Sequence, residues 1–225
     1  MASGGRRGFC CDEDLERIGC DGRDWESDLT RLRERGPREE TAELLEVVLR
    51  EGVAGATVVD VGAGVGAVHL ALLAAGAARA VDIDASKAYL AAARAEADRR
   101  GMGDRVEYRY GDVVELADEL PAADIVTADS VVCCYPYIDL LVAAFVRPGP
   151  RVVGLSYTHE MWWLRGWMHL MNVAWAALRK PDRWYIHRHA TVDGLMRDAG
   201  YAVVHDGGTR TWRVVVYRRA TPSPR

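Results

Sequence analysis

The sequence has no excess of positive charge, and this limits the partners that it can have. Its 225 residues include 29 Lys and Arg against 33 Asp and Glu, so the formal net charge is -4. The basic field that attracts nucleic acid is therefore missing. We expect a small-molecule partner and no nucleic-acid partner.

Cysteine is also scarce, and its spacing suits neither a disulfide framework nor a metal site. The chain has five cysteines, an odd number, and none of them forms a C-x-x-C pair. No signal peptide is expected before them, since the N-terminus turns acidic at once. These features favour a reducing, cytoplasmic compartment and no bound metal. The cysteines are Cys10, Cys11, Cys20, Cys133 and Cys134.

The chain has little that resembles a membrane-spanning run. Its main uncharged stretch, Val61 to Ala78, is mostly Gly and Ala, and its first half is rich in turn-forming glycine. Such a run inserts poorly into a bilayer. It predicts the buried end of a strand followed by a helix.

The sequence does have the composition of a packed domain and a regular alternation of strand-like and helix-like segments. Hydrophobic residues make up 49% of the chain, enough for one substantial domain. Short β-branched runs such as "TVVDVG" alternate with helical patterns such as "SKAYLAAARAEADRRG", which Ser86 caps. This alternation predicts an α/β fold, a mostly parallel sheet with helices on both faces. Two last strands around Gly207 and Gly208 predict an antiparallel hairpin at its end.

A glycine-rich turn, "DVGAGVGA", lies between the first predicted strand and the next helix. Glycine lets a ligand approach the backbone, and a helix N-terminus favours negative charge. Gly62, Gly64 and Ala67 fit the dinucleotide pattern G-x-G-x-x-G/A, which would indicate an NAD(P)-binding oxidoreductase. Gly62, Gly64 and Gly66 after Asp60 fit D-x-G-x-G-x-G. A carboxylate at Asp60 would repel a pyrophosphate but suits an ammonium group, which favours the second pattern.

The second pattern resembles motif I of class I S-adenosylmethionine (SAM) methyltransferases. The resemblance implies SAM as cofactor and a Rossmann-like sheet of seven strands, the seventh antiparallel. A binding module of the same fold without catalysis is the alternative. Asp84 lies 20 residues beyond Gly64, the distance of a ribose-binding acid in either fold, and Asp82 is the alternative. The implied roles are ribose binding by Asp84, adenine binding by Asp112 with Val113, and a position beside the transferred methyl group for Asp129.

Two later segments, "ADIVTADSVVCCYPYIDLL" and "WYIHRHATVDGLMRDAGY", resemble a block of the magnesium-protoporphyrin O-methyltransferases. That family has an Asp, a short apolar run and Tyr-Pro, then a later "YLH"-like segment. Immediately before Tyr-Pro it has a histidine, where this chain has Cys134. Ubiquinone-type O-methyltransferases are the next most similar pattern. The resemblance implies methylation of an oxygen on a porphyrin-, quinone- or lipid-like molecule, with Cys134, Tyr135 and Tyr185 at the acceptor.

Histidines are the candidates for proton transfer. A hydroxyl acceptor usually must lose a proton, whereas a carboxylate need not. His187 and His189 alternate along a predicted extended segment, so both can face one side, near the sheet edge where ligands bind. We expect His187 to act as a base or substrate contact and His159 to be the second candidate. His69 is expected to be structural.

Two segments outside the repeating pattern are expected to complete the site. Residues 1–36 precede the SAM-binding domain at 37–219, and residues 220–225 form a tail. Within the first segment "DWESDLTRLRER" predicts a helix with Trp25, Leu29 and Leu32 on one face. Because N-terminal segments commonly close the pocket in this fold, we expect a lid over the cofactor.

The insert at residues 158–188 contains five of the seven tryptophans. Arg165, His169, Asn172 and Arg179 form a narrow polar stripe on its predicted helix, so the apolar arc is wide. Four interpretations stay open: packing on the core, a wall for a hydrophobic acceptor, docking of a partner chain, and contact with a membrane surface. The favoured functional interpretation places Trp163 and Trp167 against the acceptor.

Overall fold

The computed structural model describes residues 25–177 and 184–220, and within them strands and helices alternate. The strands are β1 (Thr57–Val61), β2 (Arg79–Asp84), β3 (Val106–Tyr110), β4 (Ile125–Asp129), β5 (Val152–Thr158), β6 (Tyr201–Gly208) and β7 (Trp212–Arg219). The helices are α1 (Trp25–Arg35), α2 (Glu39–Arg50), α3 (Ala67–Ala74), α4 (Lys87–Arg99), α5 (Val113–Leu116), α6 (Ile138–Val146), α7 (Trp162–Ala177) and α8 (His189–Asp198).

The seven strands form one sheet in the order β3-β2-β1-β4-β5-β7-β6. The first five strands are parallel, and β7 pairs antiparallel with both β5 and β6. This confirms the predicted α/β class, with its mostly parallel sheet and antiparallel end. Because parallel strands end at the same edge, the acids Asp84 and Asp129 are brought to one side of the sheet.

Helices cover both faces of the sheet, because successive strand residues point to opposite faces and both faces are apolar. Helices α5, α6 and α8 pack on one face and helices α2, α3 and α4 on the other. The first group contributes Val113, Leu141, Phe145, Val192 and Met196, and the second Leu44, Val48, Leu70, Leu73 and Ala97.

The predicted cap of α4 is present, whereas α8 begins earlier than the predicted extended segment allows. Ser86 caps α4 as predicted, because its hydroxyl accepts a hydrogen bond from the backbone N–H of Tyr89 at 3.3 Å. Helix α8 begins at His189, inside the segment predicted to be extended, because Arg188 is the last residue with extended dihedrals. His189 therefore belongs to a helix and not to the extended segment that contains His187.

A buried ionic cluster joins α8 to the terminal hairpin. Arg213, 2% exposed, donates hydrogen bonds to Asp193, Asp206 and the hydroxyl of Tyr157. Burying an unpaired guanidinium would cost several kcal/mol, roughly 3–5 when a partner is lost. The cluster therefore fixes α8, and the segment before it, against the sheet.

Helix α7 exposes an apolar face. Trp162 is 84% exposed, Trp167 59% and Leu170 60%, whereas Met168 on another side of the helix is buried. The side chain of Asn172 donates to the backbone carbonyl of Trp184 at 2.7 Å and accepts from its N–H at 3.0 Å. The helix is thus anchored along one side. Its other side is exposed, so the helix is not completely buried against the sheet. No helix in the described ranges combines the length and hydrophobicity that a membrane crossing needs.

Candidate active site

A cavity of about 300 Å³ lies at the carboxyl ends of β1, β2 and β4. This volume is at the lower end of the range of about 300–1,000 Å³ for small-molecule sites. The loop after β1, the start of α5, the loop after β4 and helix α1 complete its wall. Seven of the eight residues predicted to bind the cofactor line it, namely Asp60, Gly62, Gly64, Asp84, Asp112, Val113 and Asp129.

The eighth residue, Gly66, caps helix α3 directly behind the cavity. It has a positive φ of 82°, and a Cβ atom there would approach the ring of His69 to 2.9 Å. Gly62 also has a positive φ, and a Cβ atom there would overlap a methyl group of Val131. Both positions require glycine, because a side chain would be strained and would collide with its neighbours. The loop therefore presents bare backbone to a ligand.

Asp60 holds this loop in place from below. It is 1% exposed, and its Oδ1 accepts a hydrogen bond from the hydroxyl of Thr127 at 2.7 Å. Its Oδ2 accepts from the backbone N–H of His69 at 3.2 Å and lies 3.0 Å from His69 Nδ1. Both oxygens are thus bound by protein groups. His69 is structural, as predicted, and Asp60 adds negative charge to the cavity floor.

The acid at the end of β2 links the two loops that face the cavity. Asp84 Oδ2 accepts from the backbone N–H of Gly64 at 3.0 Å, and Oδ1 accepts from that of Ser86 at 2.8 Å. Asp82, the alternative for ribose, is fully buried and lies outside the cavity wall. Burial raises the pKa of Asp82 well above its ordinary value, and the nearby charges of Asp60 and Asp84 raise it further. The geometry favours Asp84 as the residue that meets a ligand.

Asp112 and Tyr135 form a second polar corner of the cavity. Asp112 caps α5 by accepting from the N–H of Val114 at 2.9 Å, and its other oxygen accepts from the hydroxyl of Tyr135 at 2.9 Å. Tyr135 and Cys134, both predicted at the acceptor, line the cavity. Residues predicted to bind the cofactor and residues predicted to bind the acceptor therefore lie next to each other. Tyr135, predicted at the acceptor, hydrogen-bonds directly to Asp112, predicted at the cofactor.

Asp129 ends β4 inside the cavity. Its Oδ2 accepts from the hydroxyl of Thr41 at 2.6 Å, and its Oδ1 accepts from the hydroxyl of Ser156. Burial raises the pKa of Asp129, and the hydrogen bonds from Ser156 and Thr41 act in the opposite direction. Its carboxylate is therefore held in one orientation at the site predicted beside the methyl group.

Helix α1 closes one side of the cavity. The sequence predicted its apolar face but not its polar side. Leu29 and Leu32 pack with Val65, Tyr89 and Ala92, as the predicted face requires, and Trp25 packs against this cluster. Its polar side adds three groups that no motif marks: Asp28, Arg31 and, from the following turn, Arg38. Arg31 Nε is buried without a hydrogen-bond partner among the described residues. The preceding residues 1–24 of the expected lid, with Cys10, Cys11 and Cys20, lie outside the described residues.

The predicted histidines do not line the cavity. His187 Nε2 lies 2.7 Å from the carbonyl of Tyr135, to which it donates, and burial lowers its pKa. His159 Nε2 lies 3.2 Å from the carbonyl of Thr209. The prediction that His187 and His189 face the same side is wrong, because the His189 ring contacts Tyr157 and His159 instead. The helical start at His189 turns it away.

The remaining acceptor candidates differ in position. The backbone N–H of Tyr185 donates to the carbonyl of Cys133 at 2.7 Å, so its segment lies against the cavity wall from outside. Trp163 and Trp167 lie on the exposed face of α7 and do not line the cavity. Arg179 of the predicted polar stripe lies outside the described residues.

The charge of the cavity selects among ligands. Five carboxylates and two guanidinium groups line it, so the field favours a ligand with positive groups. SAM carries an ammonium and a sulfonium, whereas a dinucleotide carries phosphates. Bare glycine backbone, an acid at the ribose position and a polar corner for adenine also fit SAM. The charged residues are Asp28, Asp60, Asp84, Asp112 and Asp129 with Arg31 and Arg38.

Comparison with known proteins agrees with the site. Residues 58–147 match the model of a family described as a methyltransferase domain. No curated protein matches the chain. Over residues 58–147 the chain is therefore similar to a methyltransferase domain, and its seven-stranded fold and the cavity fit SAM as the cofactor.

Solved structures with a similar fold have various acceptors. Magnesium protoporphyrin IX methyltransferase from Synechocystis PCC 6803, with bound S-adenosylhomocysteine (SAH), has a TM-score of 0.67 at 19% identity, covering 92% of this chain and 100% of that one. An O-methyltransferase family protein from Burkholderia thailandensis has a TM-score of 0.66 at 19% identity, covering 92% and 63%. Ribosomal protein L11 methylase from Lactobacillus delbrueckii subsp. bulgaricus has 0.56 at 17%, covering 82% and 81%. At these identities the likeness establishes the fold.

Proposed function

We propose that the chain is a SAM-dependent methyltransferase that acts on an oxygen of a hydrophobic small molecule, and that the oxygen belongs to a carboxylate. The composition of the cavity wall carries the proposal. Among the described residues that line it there is neither a histidine nor a lysine. A carboxylate is nucleophilic without losing a proton, so a site without such a base suits it. Asp129 does not replace the base, because both its oxygens accept hydrogen bonds from hydroxyl groups.

The chain's contribution is to bind, align and exclude water. When bound, SAM supplies a methyl group that is already activated on a sulfonium. Asp84 would hold the ribose, and Asp112 with Val113 the adenine. Asp129 would lie beside the reacting centre, with its oxygens held by Thr41 and Ser156. Alignment of two bound reactants supplies most of what such a displacement needs.

The exposed face of α7 supports a hydrophobic acceptor. Helix α7 follows the carboxyl end of β5, so it starts at the same sheet edge as the cavity. Its face is apolar and carries Trp162, Trp163 and Trp167. Tryptophan suits planar apolar ligands and the polar–apolar boundary of a lipid surface. In this proposal Trp163 and Trp167 contact the apolar part of the acceptor, and peripheral membrane contact is the alternative.

A hydroxyl acceptor is the second candidate, and His187 favours it. Its ring donates to the backbone carbonyl of Tyr135, which lines the cavity, and burial lowers its pKa, which favours the neutral form that a base needs. Nε2 of the neutral ring carries the hydrogen that it donates to the carbonyl. Nδ1 would therefore have to accept the proton of the acceptor's hydroxyl group. His159, whose Nε2 also faces a carbonyl, is the weaker candidate.

An acceptor screen with purified protein tests the proposal. Pairs of hydrophobic molecules that differ only in carrying a carboxylate or an alcohol, including porphyrin-, quinone- and lipid-like skeletons, are compared by SAH release. We expect turnover with carboxylates, and at least tenfold less with the matched alcohols. His187→Gln should then change kcat less than threefold. Turnover confined to alcohols and lost in His187→Gln would establish the second candidate.

A further inference from the structure

Two adjacent thiols lie at the cofactor cavity, one in its wall and one behind it, and methyl transfer does not require them. Cys133 and Cys134 end the short 3₁₀ turn Val132–Cys134 after β4. Their Sγ atoms are 3.9 Å apart, and no disulfide joins them. Cys134 lines the cavity, and Cys133, 2% exposed, lies behind it. In an extended strand such neighbours would point to opposite faces, so the turn is what brings the sulfurs together.

The carbonyl of one residue with a strained backbone, Ser130, accepts hydrogen bonds from both thiols. Ser130 has a φ of 64°, a left-handed conformation that is uncommon for a residue other than glycine. The Cys133 thiol donates to the Ser130 carbonyl at 3.5 Å, and the Cys134 thiol donates to the same oxygen at 3.6 Å. The two sulfurs therefore converge because their loop is bent.

The segment after α7 fixes this loop from outside. The carbonyl of Cys133 accepts from the N–H of Tyr185, and the carbonyl of Tyr135 accepts from His187 Nε2, both at 2.7 Å. The backbone on each side of Cys134 is thus tied to a second element. A pair of ligands held in advance loses less conformational entropy on binding.

The separation of the sulfurs suits one soft atom bound to both. With sulfur bonds of about 2.3 Å, sulfurs 3.9 Å apart subtend an angle of about 115° at the bound atom. A pyramidal trivalent atom has a narrower angle, so the partly exposed Cys134 side chain must rotate slightly to bring its sulfur closer to that of Cys133. Within the described residues no group of three or more His, Cys, Asp and Glu side chains could hold a metal ion. The described residues by themselves therefore do not supply four ligands for zinc. The pair suits a soft element that needs only two sulfurs from the protein.

We propose that Cys133 and Cys134 form a dithiol site that captures trivalent arsenicals, and that capture blocks the cofactor cavity. An organic arsenical, R–As(OH)₂, forms two As–S bonds while two As–O bonds break. The two thiol protons leave in two molecules of water, and no electrons are exchanged. The group R projects from Cys134 into the cavity. There it occupies the space in which a bound cofactor or acceptor would contact Tyr135 and Asp112.

Phenylarsine oxide tests this site in the full chain with Cys10, Cys11 and Cys20 replaced by Ser, which leaves only the adjacent pair. Intact-mass spectrometry should show one adduct, removed by 2,3-dimercaptopropanol but not by a monothiol at the same thiol concentration. SAH affinity should fall at least tenfold in the adduct. Cys133→Ala in this background should weaken adduct formation at least a hundredfold.

Because Cys133 is buried, Cys134→Ala serves as a second variant, and circular dichroism establishes that each variant is folded. Loss of the adduct in both folded variants supports the site. An adduct that survives in a folded variant, or no adduct in the background protein, overturns it. An adduct that leaves SAH affinity unchanged overturns the claim of blockage.

Discussion

Three aspartates at neighbouring strand ends have different partners, and these decide what each can do. Asp60 has both oxygens bound by Thr127 and His69. Asp82 is buried, and neither of its oxygens has a hydrogen-bond partner among the described residues. Asp84 accepts from two loop N–H groups and faces the cavity. The motif predicts an acid at each strand end. Only the packing around each acid shows whether it faces a ligand or serves the structure.

Replacing Asp84 by alanine should weaken SAM binding. The variant loses the acceptor for the ribose hydroxyls and releases the N–H groups of Gly64 and Ser86. Such hydrogen bonds contribute roughly 1.5–3 kcal/mol, which corresponds to a rise in Kd of roughly tenfold to hundredfold. Titration calorimetry measures it. The control is Asp82→Asn, for which Kd should stay within twofold. The reverse pattern would assign ribose binding to Asp82.

Asp82 should make the protein less stable as pH rises. The pKa of Asp82 is raised in the folded state. The protonated form therefore contributes its full stability below the unfolded-state pKa of about 3.9. This stability is lost as pH rises through the folded-state pKa. Asp82→Asn stays neutral and should remove this loss, on the order of 1–3 kcal/mol. Thermal unfolding at pH 5 and pH 8 measures it. An equal pH dependence in the two proteins would contradict the buried carboxyl.

At the scale of elements, a buried carboxylate of α4 helps to attach helix α1, beside the apolar contacts between the two helices. Glu96 is fully buried and binds Arg33 of α1 together with Arg99 and Arg100 at the end of α4. The hydrogen bonds from these guanidinium groups, with that of Arg99 first, hold the pKa of Glu96 well below its usual range. The sequence predicts the apolar face of α1 from its spacing. It could not predict this ion pair, because the partners are 63 residues apart.

Detaching α1 should weaken cofactor binding. Arg33→Met removes two hydrogen bonds, of 2.8 and 2.9 Å, between α1 and Glu96. Since Arg33 is partly exposed, the loss should be roughly 1 kcal/mol, seen as a threefold to tenfold rise in the Kd of SAM. Arg99→Met is the matched control, because it removes two bonds to the same carboxylate from within α4. Equal effects would mean that Glu96, and not the position of α1, determines affinity.

The exposed face of α7 should matter for the acceptor and not for SAM. Trp163→Ala combined with Trp167→Ala removes two side chains that are 47% and 59% exposed, so stability should change little. Acceptor KM should rise at least tenfold while the Kd of SAM stays within twofold. Sedimentation with anionic and neutral vesicles measures lipid contact separately. If KM and Kd change equally, or if only vesicle binding falls, the face does not contact the acceptor.

At the scale of the whole molecule, the sequence predicts the sheet and the cofactor end of the cavity well. Alternating patterns locate β1 to β5, and the glycine loop after Asp60 marks one wall of the cavity. Contacts between distant segments were not predictable. Arg31 belongs to no motif, yet helix α1 brings it to the cavity. His189 was placed beside His187, but the helix begins one residue earlier than their alternation requires, and the two rings separate.

The identity of the methylated atom tests the central claim most directly. Protein is incubated with methyl-labelled SAM and a carboxylate acceptor selected by SAH release, and the product is treated with mild base. A methyl ester releases labelled methanol, whereas a methyl ether or methylamine does not. We predict that most of the transferred label appears as methanol, and that Asp84→Ala lowers its formation at subsaturating SAM. Labelled product that base does not cleave would contradict transfer to a carboxylate in this cavity.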